Sequence, residues 1–104
     1  MKKIIEGKCY NTETAIEIYE WWNGLSIRDF GHCYETLYRT KKGNYFLLGE
    51  GGAMSKYAEY IGMNEVCGSR KIIPLTKDEA IKWGEKKMPA DDFLLEFSDC
   101  VEEA

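Results

Sequence analysis

Residues Glu35-Thr-Leu-Tyr-Arg-Thr-Lys-Lys-Gly-Asn-Tyr-Phe-Leu-Leu-Gly-Glu-Gly-Gly52 decide how this chain folds. Two runs rich in aromatic, β-branched and leucine residues flank Lys41-Lys42-Gly43-Asn44, a short polar connection with a glycine available for positive φ. That pattern predicts a β-hairpin. On its first strand, alternation puts Tyr34, Thr36, Tyr38 and Thr40 on one face and Glu35, Leu37 and Arg39 on the other. The returning run, Tyr45-Phe-Leu-Leu48, is apolar on both faces, as a central, covered strand is. Gly49-Glu-Gly-Gly52 then predicts a break in the sheet.

Upstream, residues 2–10 predict a first strand bent at Gly7. Ala15–Trp22 fits two patterns. Strict alternation puts Ile16, Ile18 and Trp22 on one face and Glu17, Tyr19 and Trp21 on the other. Helical spacing instead groups Ala15, Ile18, Tyr19 and Trp22, with Thr12 or Thr14 as a cap. The β-branched and aromatic content favours the strand. Asn23-Gly24 closes it as a turn, and residues 25–33 are a connection of undetermined order.

Downstream, Ser55–Ile61 predicts a short helix ending at Gly62, and residues 62–70 a polar loop. Lys71-Ile-Ile-Pro-Leu75 reads as a short strand, at an edge or ending there because Pro74 lacks an N–H. Thr76 with Glu79 forms a capping box, so a helix begins there. Its buried stripe is Ala80, Ile81, Gly84 and Met88, with Trp83 beside it, and Pro89 ends it. Ala90, Phe93, Leu94, Phe97 and Val101 repeat at helical spacing and predict a second amphipathic helix with an acidic opposite face. The sum is a single α+β domain over residues 1–104, an antiparallel sheet of four or five strands with two C-terminal helices on one face.

The chain has 104 residues, 44% of them hydrophobic and 13% aromatic, enough for an ordered but thin core. Its net charge of −4 is unevenly spread. Residues 1–48 carry seven bases and six acids; residues 49–104 carry seven and twelve. Asp91, Asp92, Glu96, Asp99, Glu102 and Glu103 close the chain with no base among them. Such a segment repels phosphate backbones and suits a basic protein groove, so it argues against direct contact with nucleic acid. As a bland alternative, it is a solvated helix face.

No run of apolar residues is long enough for a membrane span, and Lys2-Lys3-Ile4-Ile5 is too short for a signal peptide. The expected compartment is the cytoplasm. There Cys9, Cys33, Cys67 and Cys100, which include no Cys-x-x-Cys pair, are expected to be free thiols packed as small hydrophobes. Their spacing, with one histidine, argues against zinc, and no cofactor is implied.

Catalytic constellations fare poorly. The Gly49–Gly52 corner lacks the lysine and Ser/Thr of a phosphate-binding loop and has Glu50 in its middle. His32 and Cys33 are neighbours on an extended segment and point to opposite sides, which disfavours a nucleophile–base pair. Asp91 and Asp92 face different directions on a helix. The chain therefore reads as non-enzymatic. Surplus aromatics point to a protein interface instead, where Tyr, Trp and Arg are the usual anchors. The candidate binding residues are Tyr34, Tyr38, Arg39 and Tyr45 on the hairpin, with Asp91, Asp92, Glu96 and Asp99 on the last helix.

The hairpin stretch, with Ser55-Lys56-Tyr57-Ala58, Trp22-Asn23-Gly24 and Ile72-Ile-Pro-Leu-Thr-Lys-Asp-Glu-Ala80, resembles a family of short proteins carried on phages and conjugative elements of gut Firmicutes. Small acidic proteins in that setting include inhibitors of host defence. The resemblance thus implies a protein that binds a bacterial defence nuclease, of the anti-CRISPR type, with the acidic helix as a DNA mimic. The alternative it implies is an adaptor or regulatory module of the mobile element, dimeric through a sheet edge.

Overall fold

The computed structural model describes residues 1–60 and 66–104. Its centre is an antiparallel sheet of four strands in the order β3 (Ile16–Trp22), β4 (Cys33–Arg39), β5 (Tyr45–Gly51) and β8 (Ser69–Leu75). Two helices, α1 (Lys77–Lys87) and α2 (Ala90–Phe97), follow β8 and cover one face. A hairpin of β1 (Lys2–Ile5) and β2 (Lys8–Asn11) covers part of the other. The fold is α+β, as the element pattern predicts.

The β4–β5 hairpin forms at the expected place. Arg39 pairs with Tyr45 at its closed end and Cys33 with Gly51 at its open end. The Gly43 N–H donates to the Thr40 carbonyl at 2.9 Å, and Gly43 takes φ +90°, which an L side chain resists. β5 lies between β4 and β8, with the helices over Leu47 and the β1–β2 hairpin over Phe46. That is why its apolar residues run without alternation.

Several elements differ from the sequence reading, each for a local reason. Residues 2–10 are two strands, reversed at Glu6 (φ +50°) and Gly7 (φ +77°). Positive φ at both central residues is the two-residue turn that matches strand twist, but glutamate is not the Asn or Asp that announces it. β3 is a strand, yet its register slips between Glu17 and Tyr19. This bulge puts Ile16 beside Arg39 and Trp22 beside Tyr34, so the two lie on opposite faces and strict alternation fails.

The sheet does not break at Gly49; β5 continues to Gly51. A methyl group on Gly49 would overlap the Tyr57 ring, so this glycine admits a side chain from the next loop rather than ending a strand. Residues 55–58 form turns, not a helix, with Ala58 N–H donating to Ser55 carbonyl at 3.1 Å. The predicted helix end at Gly62 lies outside the described residues. β6 (Glu59–Tyr60) pairs with β7 (Val66–Cys67), and β8 starts at Ser69 rather than Lys71. Pro74 sits on β8, an outer strand of the four, where a missing N–H costs nothing.

α1 begins at the predicted capping box. The Thr76 hydroxyl accepts from Glu79 N–H at 3.1 Å, and the Glu79 carboxylate accepts from Thr76 N–H at 2.9 Å. Asp78 and Glu79 in the first turn and Lys86 and Lys87 in the last complement its dipole. The core under the helices comprises Leu37, Tyr45, Leu47, Ala80, Trp83, Met88, Phe93 and Phe97. From α2 only Phe93 and Phe97 are buried, and Leu94 and Val101 remain largely exposed. The five-residue stripe predicted for α2 is therefore too wide: the helix stops at Phe97 and a 3-10 turn carries Ser98–Cys100 away. On the opposite face Tyr10, Phe46 and Ile72 form a smaller core.

Candidate functional site

The hairpin residues expected to act together are split by the sheet. Tyr34 and Tyr38 point to the β1–β2 side, whereas Arg39 and Tyr45 are register partners on the helix side. Tyr45 is only 7% exposed, and its hydroxyl donates to Glu96 Oε2. Arg39 Nε lies 3.4 Å from the same oxygen, at ion-pair distance but out of line for a hydrogen bond. Burial, then the hydrogen bond to Glu96, pushes the Tyr45 hydroxyl pKa up, so it stays a donor. The expectation of one exposed face shared by these four residues is corrected. Tyr45, Arg39 and Glu96 instead clamp α2 to the sheet.

Tyr34 stacks on exposed Trp22 at 6.1 Å and 9° between ring planes. Tyr38 stacks on buried Phe46 at 5.1 Å, and burial, then Glu17 and Glu20, raises its hydroxyl pKa. Asp91 and Asp99 are exposed and Asp92 half-buried. Between them, Leu95 is 86% exposed, an apolar side chain among carboxylates that the helical spacing did not single out. A shallow groove of about 450 Å³ lies between α1 and α2, walled by Met88, Leu94 and Val101.

Sequence reasoning missed the most heavily engaged polar residue, Glu35. It is 0% exposed, in the middle of the helix-covered face. Its Oε1 accepts from Trp83 Nε1 at 3.1 Å and pairs with Lys87 Nζ at 3.2 Å. Its Oε2 accepts from the Tyr57 hydroxyl and pairs with Lys56 Nζ at 2.7 Å. Lys87 Nζ also sits 3.3 Å from the centroid of the Trp21 ring. Burial alone would raise the carboxyl pKa, but the Lys56, Tyr57 and Trp83 hydrogen bonds outweigh it and hold the group at about 2. The same burial, then the bond to Glu35, pushes the Tyr57 hydroxyl up. Every Glu35 oxygen is engaged, so this carboxylate is a tie between β4, the Tyr57 loop and α1, not a free base. A signal existed: Glu35 is in phase with buried Leu37, opposite Gly49, on a strand whose neighbour is apolar on both sides.

His32 Nδ1 donates to the Asp29 carbonyl at 2.7 Å, and its ring meets the edge of Tyr34 at 5.8 Å. Cys33 is buried, and burial, then Glu35, raises its thiol pKa, which keeps it protonated and a poor nucleophile. All four cysteines are free, but Cys9 and Cys100 are exposed, so packing as small hydrophobes describes only Cys33 and, in part, Cys67. Among the described residues no group of three or more His, Cys, Asp and Glu side chains is placed to hold a metal ion. No helix among them is long and apolar enough to cross a membrane. No family model, curated protein or solved structure matches the chain.

Proposed function

We propose that this protein is a non-enzymatic inhibitor that binds a bacterial defence nuclease, of the anti-CRISPR type, through the outer face of α2. The observation that carries the reading is Leu95, 86% exposed on a helix whose inner side is fastened by Phe93, Phe97 and the Glu96 clamp. A fixed helix that presents leucine among carboxylates suits a groove with an apolar slot and basic walls. Nucleic-acid channels of nucleases have basic walls because they neutralise phosphates. Asp91, Asp92, Asp99, Glu102 and Glu103 would occupy those walls, with no base in residues 91–104 to oppose them. The groove between α1 and α2 offers the partner a place for an apolar side chain of its own.

The test is DNA cleavage by a panel of purified RNA-guided nucleases with and without the protein. Inhibition of at least one is expected, and it weakens in the charge-reversed variant Asp91→Lys/Asp92→Lys/Asp99→Lys, most clearly at low salt. An unaffected panel, or inhibition indifferent to charge reversal, contradicts the reading. Glu96 is left out of that variant because it holds Tyr45.

A second reading, the adaptor or regulatory module of a mobile element, draws on a different patch. Phe30 and Met54, joined by a 2.7 Å hydrogen bond from Met54 N–H to the Phe30 carbonyl, are both highly exposed at the open end of the β4–β5 hairpin. Exposed apolar side chains favour association with a like patch or a companion protein. Light scattering discriminates: a dimer dispersed by Phe30→Ser supports this reading, and a monomer at all concentrations counts against it.

A further inference from the structure

The turns of the two hairpins form a half-open pocket of about 420 Å³, within the size range of small-molecule sites. Lys8 lines it from the β1–β2 hairpin, and Lys41 and Lys42 from the β4–β5 connection. No carboxylate among the described residues lines it. None of these three lysines forms an ion pair among the described residues. The same is true of Lys2, Lys3, Arg28, Lys77, Lys82 and Lys86, and what sets the three apart is that they share one concave site. In a chain of net charge −4, three ammonium groups around one pocket make a local positive site.

We infer that this cavity binds a small polyanion carrying two or more phosphoryl groups. The charge count sets that class: one carboxylate would leave two of the three ammoniums unanswered. Lysine ammoniums serve phosphate as point charges without needing a planar partner. Neutral donors stand beside them. The Thr40 hydroxyl oxygen already accepts from Asn44 N–H at 3.0 Å, which leaves its proton to donate into the cavity. Asn44 also lines the wall and brings a side-chain amide. Tyr10, buried against Phe46 with ring centroids 5.5 Å apart, supplies a fixed floor.

The site is independent of α2, so it stands or falls apart from the proposed inhibitor. Titration calorimetry and amide chemical shifts with sodium tripolyphosphate, ATP and adenosine test it. Tripolyphosphate and ATP are expected to bind with affinity that falls as salt rises, and to shift the Lys8 and Gly43 amides; adenosine is expected not to bind. If ATP binds more tightly than tripolyphosphate, the source is a nucleotide; if equally, the phosphate chain alone is read. The variant Lys8→Ala/Lys41→Ala/Lys42→Ala should lose at least about tenfold in affinity at an unchanged melting temperature, since all three lysines are exposed. Lys42→Gln alone should lose a smaller factor and serves where the triple variant folds poorly. Absence of tripolyphosphate binding, binding of adenosine alone, or affinity unmoved in both variants overturns the inference.

Discussion

The two faces of the central sheet are built from the same strands but carry different duties. On the helix side lie eight buried hydrophobic residues and a fully buried carboxylate tied to one loop and one helix. Under the β1–β2 hairpin lie three, with Trp22 and Tyr34 stacked in the open beyond them. In a chain of 104 residues apolar area is scarce, and this one concentrates it on one side. The helix side holds the fold. The hairpin side is a thinner cover that leaves surface, and a lysine-lined cavity, to spare.

That asymmetry predicts unequal mutational costs. Phe97→Ala, in the helix-side core, should cost about 3–5 kcal/mol, while Ile72→Ala on the thin side should cost about 2 kcal/mol, because its site can collapse. Urea unfolding of both variants measures the gap; equal losses would break the comparison. Glu35→Gln should cost about 3 kcal/mol, the loss expected when a buried pair is cut and the remaining lysines swing toward water. It should also alter acid sensitivity. The folded Glu35 pKa of about 2 lies below its unfolded value, so its stabilisation is present above about pH 4.5 and is lost as pH falls toward 2. Wild-type stability should decline across that window more steeply than that of Glu35→Gln. Parallel curves would show that the carboxylate is not the tie.

The smallest effect belongs to the thin face. Glu6 holds φ +50°, a conformation that costs a non-glycine residue about 1 kcal/mol. Glu6→Gly should therefore stabilise the hairpin by up to about 1 kcal/mol, read as a modest rise in melting temperature. A fall would mean that the glutamate side chain contributes to the cover.

Most of the architecture was legible because it rests on local rules. Thr76 and Glu79 announced α1, Pro74 announced an outer strand or a strand's end, and the unalternating Tyr45–Leu48 run announced a covered strand. The misreadings arose where a distant residue overrides a local pattern. Gly49 looked like a break because nothing nearby in sequence reveals that Tyr57 will lie across it. The bulge at Ile18 brings Ile16 to the face of Tyr19 and Trp21, whereas strict alternation groups it with Trp22, which meets Tyr34 on the other side. Of the candidate binding residues, Tyr45, Arg39 and Glu96 proved to be joined, but as a clamp, since their partners lie about half the chain apart. Leu95 escaped notice because the helical spacing left it on the opposite face, which was read for its carboxylates alone.

The outer face of α2, held in place by the inner face, is the proposed docking surface. Calorimetric titration of Leu95→Ser against a nuclease that the cleavage panel finds inhibited by the wild-type protein tests this directly. Because Leu95 is exposed, the melting temperature should stay within about 2 °C of wild type, while affinity should fall at least about tenfold, the loss of one interface anchor. Unchanged affinity, or a loss that appears only with loss of the fold, would contradict it.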